Sequence, residues 1–514
     1  GLTYDNIGVE YAELVFTIAE SPLSEGEIWA GTNDGLVHLT RDGGEHWSNL
    51  TANIPDLPEW GTVSNVEPSK HVRGKAYITV DFHQMNNRDP FIYKTEDWGA
   101  TWTPITAGIP HSVFSYVHWV HEDPVRPGLL FAGTENAIYV SFNDGAQWLP
   151  LQNNLPHAPV HHMVVQEHFD DLVVATYGRG FWIMDDITPL QQLTDEVLAS
   201  DVHLFSPRPA YRAQPVTGGA RLSPTAYIDY YLKDGASGPV QIEFLDDEGN
   251  TVNTVRGTGR PGINRVSWNL RYPGAEEAKL RTKPPGNPHV VEEKRFRTTW
   301  EREGWYPVLS WGTGGGFQGF MVAPGTYTVR LTVNGEQITE QLEVLKDPRS
   351  EGTQADIEAQ VALQLEIRND LTTTSHMLSG IELMKKQLDD MIEVLEAGNG
   401  ASSLAGDIDG LYTSLQGVED KVFQPTIADG DSKSFRDPNR LYSKISVLAG
   451  DVNSSVDFAP NQQQLEVHDY LHGLMVQYQE ELQQVIANDV AAFNRAAASN
   501  NMPGIIVPAM IRRQ

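Results

Sequence analysis

Two carboxylates in the first third of the sequence, Asp81 and Glu135, have the chemistry of a general acid and a general base. Each follows a short run of β-forming residues, so each is expected in a loop at the end of a strand. Two carboxyl groups that flank a glycosidic bond can hydrolyse it when they lie about 5–9.5 Å apart. The pair is therefore a candidate catalytic site, and solvated loop carboxylates are the alternative interpretation.

Other polar and aromatic residues in similar loops are candidates for a ligand-binding surface around these carboxylates. They all follow a β-rich run or lie in the connection to the next one, and they are Trp60, His83, Arg88, His118, His161 and Arg179. The 80–90 loop is the longest of these connections, and loops on a rigid scaffold commonly carry specificity. No metal site is expected, because neighbouring residues of a strand, such as His161 and His162, point to opposite faces.

Composition excludes several classes of function. The 514 residues contain no cysteine, so disulfides, thiolate metal sites and cysteine nucleophiles are excluded. With 37 Lys and Arg against 68 Asp and Glu, the net charge is −31, which makes nucleic-acid binding improbable. No apolar run reaches the ~18 residues of a membrane span. The sequence opens at Gly1 with no signal-peptide pattern, so we expect either removal of an upstream segment or a piece of a longer protein.

A turn pattern occurs three times near the start of the chain. Each turn contains an Asp, a Gly and a closing Trp, and the Asp–Trp pairs are Asp42 and Trp47, Asp97 and Trp102, and Asp144 and Trp148. An Asp side chain accepts hydrogen bonds from backbone N–H groups further along a turn, and Gly tolerates positive φ. Short β-rich runs surround every turn, and four strands in about 45–50 residues make one blade of a β-propeller. These Asp and Trp residues are therefore interpreted as structural.

The three turns resemble the Asp box, also called the bacterial neuraminidase repeat. The run over residues 15–190 resembles the sortilin-type β-propellers of exported bacterial proteins that are often labelled glycosyl hydrolases, and the resemblance continues to the C-terminus. It implies an extracytoplasmic location (periplasmic, cell-surface or secreted) and implies that the chain corresponds to the C-terminal half of such proteins. Similar propellers include sialidases, xyloglucanases and non-catalytic receptors, so the resemblance implies a fold rather than a function.

The propeller is expected to be incomplete. A fourth segment, over residues 160–184, offers three β-rich runs and no Asp box, whereas propellers close with roughly four to eight blades. We therefore expect a second polypeptide, the upstream part of the same precursor, to supply the remaining blades. The alternative is a four-bladed ring that residues 2–12 close.

The rest of the chain predicts two further domains. After propeller blades over 1–195, period-two alternation predicts an immunoglobulin-like β-sandwich over 196–348, interrupted by a basic, Trp-rich insertion at 275–320. The insertion is expected to pack on the propeller or on the missing chain. Helical periodicity then predicts an antiparallel helical bundle over 349–514.

The predicted fold class is thus mainly β with an α-helical C-terminus, and two functions remain open. One is binding of an extracellular glycan or polypeptide, with or without a role as an assembly scaffold. The other is glycoside hydrolysis at the channel face of the propeller. No cofactor is expected, although Asp246, Asp247 and Asn250 could hold a structural calcium ion in place of a plain turn.

Overall fold

Short alternating apolar runs fold the first part of the chain into four small antiparallel sheets. The computed structural model describes residues 14–57, 59–213, 224–283, 304–307, 319–397, 404–424, 439–454 and 457–512. The chain divides into two compact units, Gly1–Arg208 and Pro209–Gln514. The prediction of a mainly β protein with a helical C-terminal region is confirmed. The division into three domains stays a prediction.

The first unit contains fifteen consecutive strands in its sheets. They are β1 (Val15–Glu20), β2 (Ile28–Thr32), β3 (Val37–Thr40), β4 (Ser48–Asn49), β5 (Thr62–Pro68), β6 (Ala76–Asp81), β7 (Ile92–Thr95), β8 (Thr103–Pro104), β9 (Val117–Glu122), β10 (Leu130–Thr134), β11 (Ile138–Ser141), β12 (Leu149–Pro150), β13 (Val160–Gln166), β14 (Asp171–Thr176) and β15 (Gly180–Met184). Helices α1 (Thr188–Gln192) and α2 (Asp195–Ala199) and strand β16 (Val202–Leu204) follow. Each sheet pairs its strands in chain order, and the fourth has three strands, as the sequence predicts.

The four sheets pack face to face in sequence order. The first strand of each sheet contacts the first strand of the next, from β1 to β13. The apolar layer between sheets one and two contains Trp29 and Ile78, and the layer between sheets two and three contains Tyr77 and Leu130. Consecutive four-stranded meanders whose first strands adjoin have the topology of propeller blades.

The turn between the third and fourth strands of sheet two has the hydrogen bonds expected of its sequence. The Asp97 carboxylate accepts the Thr95 hydroxyl at 2.9 Å and the Thr101 backbone N–H at 2.8 Å. The Gly99 N–H donates to the Thr95 hydroxyl oxygen, and Gly99 has a φ of 76°. Hydrogen bonds from Thr101, above all from its backbone N–H, lower the pKa of Asp97. The turn around Asp42 repeats these bonds.

In the third turn, Asn143 rather than Asp144 occupies the equivalent position. The Asn143 side-chain oxygen accepts the Ser141 hydroxyl at 3.0 Å and the Gln147 N–H at 2.9 Å. The assignment of Asp144 from the sequence is therefore wrong. An amide oxygen accepts the same two hydrogen bonds as a carboxylate oxygen. The residue that accepts them is therefore the one two positions after Ser141, whether or not it is acidic.

The Asp144 side chain instead links the third sheet to the second. Its carboxylate accepts hydrogen bonds from Lys75 at 2.8 Å, Lys94 at 2.7 Å and the Tyr77 hydroxyl at 2.6 Å. Burial acts to raise the pKa of Asp144, but these three donors outweigh it and lower the pKa. Tyr77 is fully buried and Lys75 nearly so, so this carboxylate satisfies two donors that water does not reach.

The turn tryptophans differ in their burial. Trp102 of sheet two meets Trp29 of sheet one edge to face, with ring centroids 6.1 Å apart. Trp148 of sheet three is 1% exposed, and its indole N–H donates to the Ile105 carbonyl of sheet two at 2.6 Å. Each of these indoles packs on the preceding sheet. Trp47, in the first sheet, is 44% exposed.

The second unit begins with β structure. Its strands are β17 (Ala210–Arg212), β18 (Ala226–Leu232), β19 (Val240–Leu245), β20 (Thr251–Gly257), β21 (Gly262–Trp268), β22 (Lys279–Leu280), β23 (Tyr306–Pro307), β24 (Gly325–Val333) and β25 (Glu336–Lys346). One sheet has the order β17-β25-β24-β19-β20, with β17 parallel to β25. Strands β18 and β21 pair antiparallel. Phe244 stacks on Trp268 with ring centroids 4.1 Å apart.

Part of the insertion packs on the helical region. Ala275, Ala278 and Leu280 belong to the helical core, and the Glu382 carboxylate accepts the backbone N–H groups of Arg281 and Thr282. The expectation that the insertion packs on the propeller or on the missing chain stays a prediction, and its described part packs on these helices. Glu382 explains this, because it satisfies backbone donors that a buried segment cannot leave unpaired. Trp300 and Trp311 lie outside the described residues.

The helical region forms three rods, each antiparallel to the next. Its helices are α3 (Gln354–Ala397), α4 (Ala405–Val422), α5 (Leu441–Asn453), α6 (Gln462–Val485) and α7 (Ala491–Ser499). The first rod is α3, the second is α4 with α5, and the third is α6 with α7. Helices α4 and α5 run antiparallel to α3. The Gln360–Val452 and Gln364–Ala449 hydrogen bonds show this for α5, because the residue number rises along α3 while it falls along α5. Helix α6 runs parallel to α3. No helix in the described part of the chain is long and apolar enough to cross a membrane.

The Asp144 network gives a test of the packing between sheets. Asp144→Ala should destabilise the first unit by about 2–3 kcal/mol, because it removes the closest acceptor of the buried Lys75 and Tyr77 and leaves them Glu122 alone, at 4.0 Å and 3.0 Å. Urea unfolding of the full chain, followed by tryptophan fluorescence, measures the change. Asp42→Ala removes an exposed turn carboxylate and serves as the control, with a smaller loss expected. Equal losses in the two variants would contradict a role for Asp144 between the sheets.

Candidate functional site

The predicted site residues lie at one edge of the sheets of the first unit. In an antiparallel sheet, the first strand begins where the second strand ends. Asp81 is the last residue of β6, and a short 3₁₀ helix, His83–Met85, follows it. Glu135 follows β10, and His118 and His161 lie one residue inside β9 and β13. Three consecutive sheets therefore present these side chains at the same edge.

Five aromatic rings form a continuous row across these three sheets, which we call the ring row. The centroid distances are 5.0 Å from His83 to Tyr116, 5.1 Å from Tyr116 to His118, 4.3 Å from His118 to His161 and 5.7 Å from His161 to Tyr177. The His118 and His161 rings are nearly parallel, at 17°. Tyr177, at one end, is 75% exposed.

The two carboxylates each bind an imidazole of the ring row. Asp81 accepts the His83 backbone N–H at 2.8 Å, and its second oxygen lies 2.7 Å from His83 Nδ1. Glu135 lies 2.9 Å from His118 Nε2. The side chain of Asp81 is 10% exposed and that of Glu135 is 26% exposed. The carboxylates thus fix the orientation of two rings and keep further acceptor capacity at the surface.

The surroundings of the ring row shift two pKa values in opposite directions. Burial, and then repulsion from His118, lower the pKa of His161 below its ordinary value. Burial, the hydrogen bond with Glu135 and the charge of Asp81 raise the pKa of the Tyr116 hydroxyl. Near neutral pH, His161 is therefore a neutral imidazole with one donor and one acceptor nitrogen, and Tyr116 keeps its proton.

Part of the ring row has the ligand types of a metal site. One potential ligand atom from each of His118, Glu135 and His161 lies within 4.8 Å of the others. Two imidazoles and a carboxylate are ligands that suit transition-metal ions. The same atoms also fit a plain hydrogen-bonded cluster.

The structure brings most of the predicted site residues together. Asp81, His83, His118, Glu135 and His161 all belong to the ring row or bind it. The charge of Arg88 acts on Tyr116 from an exposed position. Trp60, partly exposed with a φ of 72°, and Arg179, exposed, have no ring contact in the row among the described residues.

Sequence reasoning missed two members of the ring row, Tyr116 and Tyr177. Tyr116 precedes His118 by two residues, and residues spaced by two share one face of an extended chain. That spacing was the available signal. Tyr177 lies in the turn between β14 and β15. Its contact with His161 depends on the pairing of β13 with β14, which no local pattern in the sequence specifies.

The coupling between two imidazoles can be measured directly. His118→Ala should raise the pKa of His161, because it relieves both desolvation and the repulsion between two imidazolium charges. Glu135→Gln should lower the same pKa further, because the carboxylate favours the charged ring. An NMR titration of the His161 ring protons measures both. A shift in the same direction in both variants would contradict this arrangement.

Comparisons with known proteins find structural similarity at low sequence identity. No protein-family model matches the chain, and no curated protein matches it. A structure of YCF48 bound to D1 peptide is similar at 14% identity and a TM-score of 0.26, over 64% of this chain and 82% of that one. The GH74 xyloglucanase from Xanthomonas campestris is similar at 12% identity and a TM-score of 0.28, over 64% of this chain.

The Dos1 propeller is a third similar structure, at 12% identity and a TM-score of 0.24, over 48% of this chain and 61% of that one. The matched part of the xyloglucanase is 45% of its chain, so this chain spans less than half the length of that enzyme. These neighbours are β-propeller proteins at low sequence identity.

Proposed function

We propose that the first unit is a ligand-binding module whose ring row binds a glycan or a polypeptide outside the cytoplasm. The observation that carries this proposal is the continuous row of five rings across three sheets. Rings from separate sheets do not stack through local sequence effects. Stacking covers the faces of the inner rings, such as Tyr116 and His118, and the exposed ring of Tyr177 offers a face to a ligand beside the polar edges of the row.

The chemistry of the ring row suits an elongated polar ligand. Aromatic faces pack against the apolar face of a sugar ring or against a peptide side chain, and a few polar groups fix the orientation of the ligand. The carboxylates of Asp81 and Glu135 accept hydrogen bonds from hydroxyl or amide groups at the edge of the row. Because His161 is neutral, it can both donate and accept a hydrogen bond.

Binding is favoured over hydrolysis by the partners of the two carboxylates. Asp81 and Glu135 were the candidate acid and base, and each carboxylate is held by an imidazole at 2.7 Å and 2.9 Å. These bonds position rings for stacking. Glycoside hydrolysis stays the alternative outcome, and we expect Asp81→Asn to abolish it if it occurs.

Tyr177, at the exposed end of the ring row, allows a test of ligand binding. Tyr177→Ala should weaken ligand binding about tenfold, because one stacked ring is worth roughly 1 kcal/mol beyond its buried area. Wild-type protein is first screened on glycan and peptide arrays together with a hydrolysis assay, and the affinity for the best ligand is then measured by calorimetry. The hydrolysis assay includes Asp81→Asn.

Tyr470→Ala is the matched control, because Tyr470 is an exposed tyrosine of the second unit, at 63% exposure. It should leave the affinity unchanged. Equal affinity in wild type and Tyr177→Ala would contradict binding at the ring row. Turnover that depends on Asp81 would replace the binding proposal with the hydrolase.

A scaffold role is favoured by a second observation, the apolar surface at both ends of the stack of sheets. Phe16 and Ile18 on β1 are 59% and 64% exposed, and Phe181 and Ile183 on β15 are 79% and 58% exposed. Trp47 is also exposed, whereas the equivalent residues Trp102 and Trp148 are each buried by the sheet that precedes their own. Large contiguous apolar surface marks an interaction site.

We propose that further blade-like sheets from a second polypeptide, the upstream part of the same precursor, cover these two ends. The repeat itself indicates the occupant. Trp102 and Trp148 are each buried by the preceding sheet, and Trp47 holds the same position in the first sheet, so a preceding sheet is expected to bury it. The alternative ring closure by residues 2–12 falls outside the described residues.

Hydroxyl-radical footprinting tests this arrangement. In protein purified from its native source, Trp47 and Phe181 should be protected at least fivefold relative to the isolated chain, because a second sheet excludes solvent from both. Tyr470 should react equally in the two samples. Equal oxidation of Trp47 in both would contradict a covering sheet, and a dimer of the isolated chain by native mass spectrometry would identify a second copy as the occupant.

A further inference from the structure

Two facing helices of the second unit each present a pair of potential metal ligands. His468 and His472 lie four residues apart on α6, and Glu366 and Asp370 lie four residues apart on α3. Residues at this spacing share one face of a helix. The structure aligns the two pairs, so that two imidazoles face two carboxylates.

The distances within this cluster are short. His468 Nε2 lies 3.2 Å from Asp370 Oδ2. His472 Nδ1 lies 2.9 Å from Asp370 Oδ1 and 3.0 Å from Oδ2. One potential ligand atom from each of these three residues lies within 4.8 Å of the others. The three side chains are therefore close enough for one ion to bind all of them after an adjustment of their side-chain torsions.

Burial makes the Asp370 carboxylate costly without a cation. The side chains of Asp370 and His468 keep 8% and 9% of their exposure. In the part of the chain that the structure describes, the ion pairs of Asp370 are those with the two imidazoles, and none involves Lys or Arg. A divalent ion would compensate the charge of this carboxylate and would accept one ring nitrogen from each histidine, whose ring centroids lie 5.9 Å apart.

The fourth residue has a supporting position. Glu366 Oε2 lies 3.7 Å from Nδ1 of His468, on the side of the ring opposite the nitrogen that faces Asp370. A carboxylate that accepts the second N–H of a histidine orients the ring and strengthens its binding to a metal ion. At 3.7 Å this contact is longer than a hydrogen bond and the Glu366 side chain is 66% exposed, so Glu366 lies near the site without being one of its ligands.

We infer that Asp370, His468 and His472 form a binding site for a divalent transition-metal ion of the zinc class. Imidazole nitrogen with one carboxylate suits zinc, nickel, cobalt or copper, whereas calcium and magnesium prefer ligand sets made of oxygen atoms. Three protein ligands leave one position for water, and His472 is half exposed, so solvent reaches the site. The ion would cross-link α3 to α6, the first and third rods of the helical region.

This inference departs from the expectation that the chain holds no metal. That expectation rests on histidines within single strands of the first unit, where neighbouring side chains diverge. On α6 the interval of four residues places both imidazoles on one face, and the carboxylate comes from a helix that lies about 100 residues earlier in the chain.

The test uses the full chain, freed of metal with a chelator and titrated with Zn²⁺ by calorimetry and with Co²⁺ by visible absorption. Wild type should bind one ion that His472→Ala binds at least tenfold more weakly. Zn²⁺ should also raise the unfolding temperature of wild type by several degrees but not that of His472→Ala. Because His472 is half exposed, this variant is expected to fold, and far-UV circular dichroism without metal checks that it does.

Two further variants make the result specific. His161→Ala removes one residue of the His118–Glu135–His161 cluster and should leave the cobalt absorption unchanged. His376→Ala removes a partly exposed histidine of α3 that pairs with Glu276 at 2.9 Å. This variant should also leave the cobalt absorption unchanged. Equal Zn²⁺ affinity in wild type and His472→Ala, or binding that His161→Ala abolishes, would overturn the proposal.

Discussion

The first unit depends on one constraint, which is that a small four-stranded sheet cannot bury its own apolar faces. Each sheet therefore packs on the next, and the layers between sheets contain the largest buried side chains, among them Trp29 and Trp148. The indoles of the second and third turns reach back to the preceding sheet, so these turns contribute to packing as well as to chain reversal. Removal of one sheet from such a stack would expose two faces.

This stacking also creates the ring row. Sheets that pack in sequence order bring the same edge of each to one side of the unit, because their first strands adjoin. His118, His161 and Tyr177 are separated along the chain by 43 and 16 residues, yet their rings meet in a line. Asp81 and Glu135 then orient two of these rings. The candidate site is thus a product of packing between sheets.

Buried charges have the same role in the two units. Between sheets two and three, Asp144 satisfies Lys75, Lys94 and Tyr77. In the helical region, Lys385 lies between Glu419 at 2.5 Å and Glu382 at 3.7 Å. Burial, and then repulsion from Glu382, raise the pKa of Glu419 to about 8. In both places a polar group is costly in isolation and is retained because its partners come from separate elements.

The sequence by itself determined the local structure of the first unit. The spacing of Thr or Ser, Asp, Gly and Trp specifies a turn, and alternating apolar residues specify the strands on either side, because both depend on neighbouring residues only. Five of the eight proposed catalytic or ligand-binding residues fell at one edge for the same reason, since strand direction follows from chain order. Only the tertiary structure decided which neighbour each side chain meets. It placed Asn143 rather than Asp144 at the hydrogen-bonding position of the third turn, and it added Tyr116 and Tyr177 to the ring row. It also placed Asp370 against two histidines of another helix. The reason is that contacts between distant segments depend on how whole elements pack and not on the residues beside them in the chain.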